Sequence, residues 1–171
     1  MKRQVFFSFH YENDVWRTSQ VRNMGVVEGQ ALFSDNGWEK VRKQSDEAIK
    51  RWIDSEMNMR SCVIVLIGEH TSERKWIKYE IEQAWKKGKG IVGIYIHNLK
   101  DHNGNQSGKG RNPLNDFYVD RTFNYITKSS TPIDGNDVNL GSVCKAYDPI
   151  YSWSENVYNY IKDNIEDWIE E

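Results

Sequence analysis

Residues 61–85 read SCVIVLIGEHTSERKWIKYEIEQAW, and this stretch decides the fold. Cys62 to Ile67 form an unbroken apolar run rich in β-branched residues. With no two-residue alternation, the run suits a strand covered on both faces, as in a parallel sheet. Gly68 ends it. Thr71 or Ser72 is expected to cap the next helix, with Glu73 in the first turn against the helix dipole. Within that helix Ile77, Ile81 and Ala84 recur at helical spacing and form a core-facing stripe, while Trp76, Glu80 and Lys87 lie along its flank. An aromatic and a carboxylate one turn apart are thus presented just after the carboxyl end of a central strand, where open α/β sheets bind their ligands.

Upstream, Gln4 to Phe9 reads as a first strand and His10 to Asp14 as a polar break, with Asp14 capping a helix that runs toward Met24. Ala31-Leu32-Phe33 is expected to be a brief second strand. Ser45, followed by Asp46 and Glu47, starts a helix whose face is Ile49, Trp52, Ile53 and Met57. Downstream, Lys86-Lys87-Gly88 closes the central helix, and Gly90 to Leu99 is a fourth strand. Lys100 to Pro113 carries three glycines and is expected to be an exposed, mobile loop, dispensable for the fold. Phe117 to Asp137 is a long excursion, with room for a short helix or hairpin. Ser142 to Tyr147 is expected as a fifth strand. Ser152 or Ser154 then starts a last helix with the stripe Val157, Ile161, Ile165 and Trp168.

Alternating strands and helices indicate one α/β domain over residues 1–171, a three-layer sandwich around a mostly parallel five-stranded sheet. The most apolar strands, the first and third, belong at its centre, which points to the flavodoxin-like order 2-1-3-4-5. The loops after those two strands then flank one crevice.

Composition narrows the chemistry. A formal charge of −2 among 171 residues gives no general attraction to nucleic acid or anionic membrane. No apolar run approaches the ~20 residues of a membrane span, and no signal peptide is apparent, so the expected location is cytoplasmic. Cys62 and Cys144 read as buried free thiols. The four histidines lack metal-ligand spacing, so no metal is expected. The segment after the first strand is too aromatic and acidic for a flavin phosphate loop. The third strand ends on Gly68-Glu69 where a phosphorylatable aspartate would be needed. Residues 104–110 miss the phosphate-loop spacing, and no G-x-S-x-G elbow occurs. What remains is a carboxylate beside aromatics.

Two segments, Val5-Phe6-Phe7-Ser8-Phe9-His10 and Trp76-Ile77-Lys78-Tyr79-Glu80-Ile81, resemble the opening strand and the tryptophan-to-glutamate motif of TIR domains. Together with Ser45 to Arg51, Val65 to Gly68 and Gly93 to His97, they resemble in order the TIR-like proteins of bacterial Thoeris anti-phage systems. The resemblance covers roughly residues 3–100. It implies a flavodoxin-like sheet and a catalytic role for Glu80. It also implies NAD as substrate, with no separate cofactor, release of nicotinamide, and a cyclic ADP-ribose-type product that reaches an effector protein as a diffusible signal. Self-association is a further expectation. Chemically, Glu80 would grip ribose hydroxyls and offset an oxocarbenium-like charge. Phe9, Tyr11 or Trp76 would stack on a ring, Ser8 or His10 would bind hydroxyl or phosphate, and Asp35, Trp38 and Asp46 would line the crevice from the second-strand side. The middle of the motif, Ile77-Lys78-Tyr79, departs from the commoner cysteine-containing version. A non-catalytic interaction adaptor and a nucleotide-binding sensor therefore stay open as alternatives.

Overall fold

The computed structural model describes residues 2–30, 41, 43–120, 126–129, 132, 135 and 137–170. Its main sheet has five parallel strands: β1 (Arg3–Ser8), β2 (Val27–Glu28), β3 (Cys62–Ile67), β4 (Gly90–Tyr95) and, after three strands of a second sheet, β8 (Ala146–Tyr147). Their order is β2-β1-β3-β4-β8, the expected flavodoxin-like arrangement with the first and third strands adjacent. Helices α1 (Tyr11–Asn23), α2 (Asp46–Asn58), α3 (Lys75–Lys86), α4 (Leu140–Val143) and α5 (Ser154–Glu170) accompany it.

The unbroken apolar run of β3 has the consequence expected of it. All six of its residues are buried. Cys62, Ile64 and Leu66 join Val5, Phe7 and Ile94 in a core sealed by Val21 and Met24 near α1 and by Val157, Ile161, Ile165 and Trp168 of α5. Val63, Val65 and Ile67 face the other way. There they meet Ile49, Ile53 and Met57 of α2 and Ile77, Ile81 and Ala84 of α3. Full burial of each such side chain contributes about 1.5–3 kcal/mol, so these two faces hold the sandwich together.

Several local expectations are corrected. The second strand is Val27–Glu28, paired with Arg3 and Gln4; Ala31-Leu32-Phe33 lies outside the described residues. Where the two-residue strand stops, the Gln30 side chain continues its hydrogen bonding: Oε1 accepts from Phe7 N at 2.9 Å and Nε2 donates to Phe7 O at 2.7 Å. Asp14 does not cap α1, which starts at Tyr11 after His10. Instead Asp14 is buried within the helix and paired with Arg17 at 2.9 Å. Thr71–Glu73 form a separate 3-10 turn, and α3 begins only at Lys75.

The fifth strand of the sheet shrinks to Ala146–Tyr147. The Asn139 side chain accepts a hydrogen bond from Gly141 N and diverts 140–143 into the turn of helix α4. The excursion after Pro113 contains a 3-10 turn and an antiparallel sheet of β5 (Phe117–Val119), β6 (Ile126–Lys128) and β7 (Val138–Asn139), ordered β6-β5-β7.

The glycine-rich loop is exposed but not loose. Arg17, 2% exposed, donates to Leu99 O and Asn105 O. Gln106 Nε2 bonds Asn98 O and Ser152 O, and Lys109 pairs with Asp148. A Cβ added at Gly110 would fall 2.1 Å from Gly68 O. The loop is therefore packed against the ends of β3 and β4, where a loosely held segment was expected.

Candidate active site

Parallel pairing of Ser8 with Val65 puts the carboxyl ends of β1 and β3 side by side. The chain leaves β1 into α1 through Phe9 and His10, and leaves β3 into α3 through the turn at 68–74. Between these exits lies a cavity of about 460 Å³. Its lining includes Phe9, His10, Tyr11, Arg74, Trp76 and Glu80.

Glu80 is the unusual member. At 7% exposure its carboxyl is buried beside the Ile77–Ile81–Ala84 stripe rather than displayed on the helix flank. Ser8 Oγ donates to Glu80 Oε1 at 2.9 Å. Burial pushes the Glu80 carboxyl up to about 8, and the Ser8 hydrogen bond only partly opposes this. A carboxyl held so close to neutrality can exchange roles between hydrogen-bond donor and anion as its surroundings change, a common trait of functional sites.

Aromatic rings form much of the wall. Trp76 stands edge-on to Tyr79, 5.7 Å between centroids, with Lys75 Nζ 4.7 Å from its own ring. Phe9 and Tyr11 lie 6.3 Å apart. The polar rim carries both signs: His10 Nε2 lies 3.3 Å from Glu12, and Arg74 lies 3.9 Å from the same carboxylate. His10 Nδ1 is buried and finds no partner among the described residues, and burial, reinforced by Arg74, lowers the pKa of this ring.

Of the residues singled out from sequence, the cavity brings together Phe9, His10, Tyr11, Trp76 and Glu80. Ser8 is fully buried and reaches the site through Glu80. Asp46 is not on the wall; it pairs with Lys75, which is, at 2.5 Å. Asp35 and Trp38 lie outside the described residues. Sequence reasoning passed over Gln30, Trp52, Arg74 and Lys75 as site residues, although all four line the cavity. Arg74 and Lys75 fall in the loop already expected at the crevice, so their position was the available signal. Gln30 had none, because its place depends on pairing with β1. Among the described residues no His, Cys, Asp or Glu group is arranged to hold a metal ion, and no helix is long and apolar enough to cross a membrane.

Comparison with known proteins shows the family. Residues 6–101, more than half of the chain, match the family model described as "Thoeris protein ThsB, TIR-like domain". Over 119 residues the chain is 41% identical to a Bacillus cereus (strain MSX-D12) protein named "Putative cyclic ADP-D-ribose synthase ThsB1". That alignment takes in 67% of this chain and 62% of the relative's length. Residues 6–101 take in the second half of β1 and all of β3, β4 and α3, and with them the crevice between Ser8 and Glu80. The chain belongs to the ThsB TIR-like family of Thoeris systems.

Proposed function

We propose that this protein cleaves NAD at the bond between ribose and nicotinamide and forms a cyclic ADP-ribose-type product. The observation that supports this best is the buried Glu80 carboxyl, bonded to Ser8 and opening on an aromatic-walled cavity. Cavities of about 300–1,000 Å³ suit small-molecule ligands, and this one would take the nicotinamide riboside half of the dinucleotide. The name carried by the Bacillus cereus relative points to the same product class.

The chemistry fits these residues. Nicotinamide leaves as a neutral pyridine and needs no general acid. The ribose carbon passes through an oxocarbenium-like state, so the demand is for an ionised carboxylate that holds the ribose hydroxyls and faces the growing charge. A preorganised contact of this kind is worth ~3–4 kcal/mol, or about a hundred- to thousandfold in rate. Phe9, Tyr11 and Trp76 would pack on the nicotinamide ring, and His10 with Arg74 would meet hydroxyl or phosphate oxygens. Cyclisation rather than hydrolysis requires the adenine to fold back while water is excluded. In this reading the product acts in the cytosol as a diffusible signal to an effector protein, and self-association completes the site.

The test is to incubate purified protein with NAD, with and without lysate of phage-infected cells, and to follow nicotinamide and the nucleotide product by chromatography. Release of nicotinamide together with a cyclic product supports the reading. Effector activation with NAD left intact would decide for a non-catalytic adaptor or sensor.

A further inference from the structure

The cavity surrounds a buried acid with aromatic walls, but its described residues give that acid no cation. Among the described residues Glu80 receives one side-chain hydrogen bond, from Ser8 of β1, and no basic group pairs with it. The ionisable groups that share its surroundings are committed to one another. His10, at the end of β1, lies beside Glu12 of α1; Arg74, in the turn before α3, approaches that same glutamate. Lys75 of α3 is bound to Asp46 of α2. Glu73 lines the same cavity and is paired with His70 at 3.1 Å, a contact outside the lining.

A buried carboxylate is costly until a positive charge faces it, and aromatic faces attract cations at centroid distances of about 6 Å, as Lys75 Nζ already does at Trp76. A flat ring that carries its own positive charge brings Glu80 the charge it lacks and packs on the aromatic wall as well. An uncharged ring of the same shape brings no such charge.

On the NAD reading above, we propose that the cavity selects its ligand by ring charge, binding the cationic pyridinium with ionisation of Glu80 and disfavouring the uncharged dihydropyridine of the same dinucleotide. The step balances simply. The O–H bond of the Glu80 carboxyl breaks, its electron pair stays on the carboxylate, the proton passes to solvent, and no covalent bond to the ligand forms. Charge selection and proton release thus have a single cause. The free carboxyl, raised by burial to about 8, is mostly protonated at neutral pH, so a ligand that needs the anion must expel the proton first.

Isothermal titration calorimetry of the full chain tests this with a carbocyclic NAD analogue, which keeps the pyridinium but lacks the ring oxygen that assists cleavage, and with that analogue's reduced form. Each is titrated between pH 6 and 9 in two buffers of different protonation enthalpy. For the oxidised analogue about 0.9 proton should leave per molecule bound at pH 7, given a free carboxyl at about 8. Its affinity should rise roughly tenfold from pH 6 to 7 and level off above about pH 8. The reduced analogue should bind at least about tenfold more weakly at pH 8, with no proton release. Glu80→Gln should abolish both the proton release and the pH slope; should that variant not fold, the ligand pair on the unaltered protein still decides.

Equal binding of the two forms without proton release overturns the inference and leaves the NAD reading intact. Selective, proton-coupled binding in a protein that never releases nicotinamide sustains the inference and overturns the reading. Binding of neither form overturns both.

Discussion

Ser8 and Glu80, 72 positions apart, share a 2.9 Å hydrogen bond between Oγ and Oε1. Ser8 is the last residue of β1, and its position is set by pairing with Val65 of β3. Glu80 sits in the second turn of α3, the helix that follows β3. The carboxyl is thus placed by the sheet register as well as by its own helix. A shift of one residue in β1 would turn Ser8 to the opposite face and break the contact.

Ser8→Ala removes this bond with little loss of volume. Folding stability should fall by only about 1 kcal/mol, the usual net worth of such a hydrogen bond. Because the Ser8 bond holds the Glu80 pKa down, the variant should shift the acid limb of the NAD-consumption profile to higher pH. Rates measured from pH 6 to 9 check this. An unmoved limb would show that Ser8 does not tune the carboxyl.

Stability itself should depend on this acid. Between its unfolded value of 4.5 and its folded value of about 8, Glu80 carries a proton in the fold and has lost it in the unfolded chain. The fold therefore loses stability as pH climbs through that window, by up to about 1.4 kcal/mol per unit. Gln at position 80 does not titrate. Glu80→Gln and the unaltered protein should melt close together near pH 5, and the variant should become the more stable toward pH 8. Thermal melts at both pH values check this, and a constant gap would mean that Glu80 is ionised throughout.

The end of β4 is held by a different buried pair. Arg17 joins Asp14 to Leu99 O, Asn13 O and Asn105 O. Arg17→Ala leaves the buried Asp14 without its cation, with only the Asn13 amide donating to it, and should cost about 3–5 kcal/mol, measurable by urea unfolding. A loss under about 1 kcal/mol would show that the loop at 100–112 is as dispensable as its glycines suggest. Gly68→Ala is a companion change, since the added Cβ would fall 2.0 Å from Asp14 Oδ2, and it should destabilise the same corner.

The sheet and the place of the crevice were legible because their signals are contiguous. The β3 run and the α3 stripe each fit in one window, and strand order follows from which runs are most apolar. Glu80 itself stood out in sequence, but its burial did not. Burial depends on β1 ending against α3 and on α2 bringing Trp52 to the same wall, contacts made across long stretches of chain. The second strand was missed for a related reason. Val27–Glu28 is too short to show any periodicity, while Ala31-Leu32-Phe33 is more apolar. The loop at 100–112 was misjudged because its glycines were read as freedom. Gly110 in fact lies where only a residue without a side chain fits, against the backbone of Gly68 and Glu69.

The central claim is that the Glu80 carboxylate faces the charge that develops as nicotinamide leaves. The most direct measurement is the rate of NAD consumption by Glu80→Gln beside that of the unaltered protein, both activated in the same way and both shown to be folded by their melting curves. Glutamine keeps the volume and the helix propensity but cannot become an anion. A rate lower by about a hundredfold or more is the expected result. A folded Glu80→Gln variant that consumes NAD within about threefold of the unaltered protein, a difference of only ~0.6 kcal/mol in barrier, would contradict the claim.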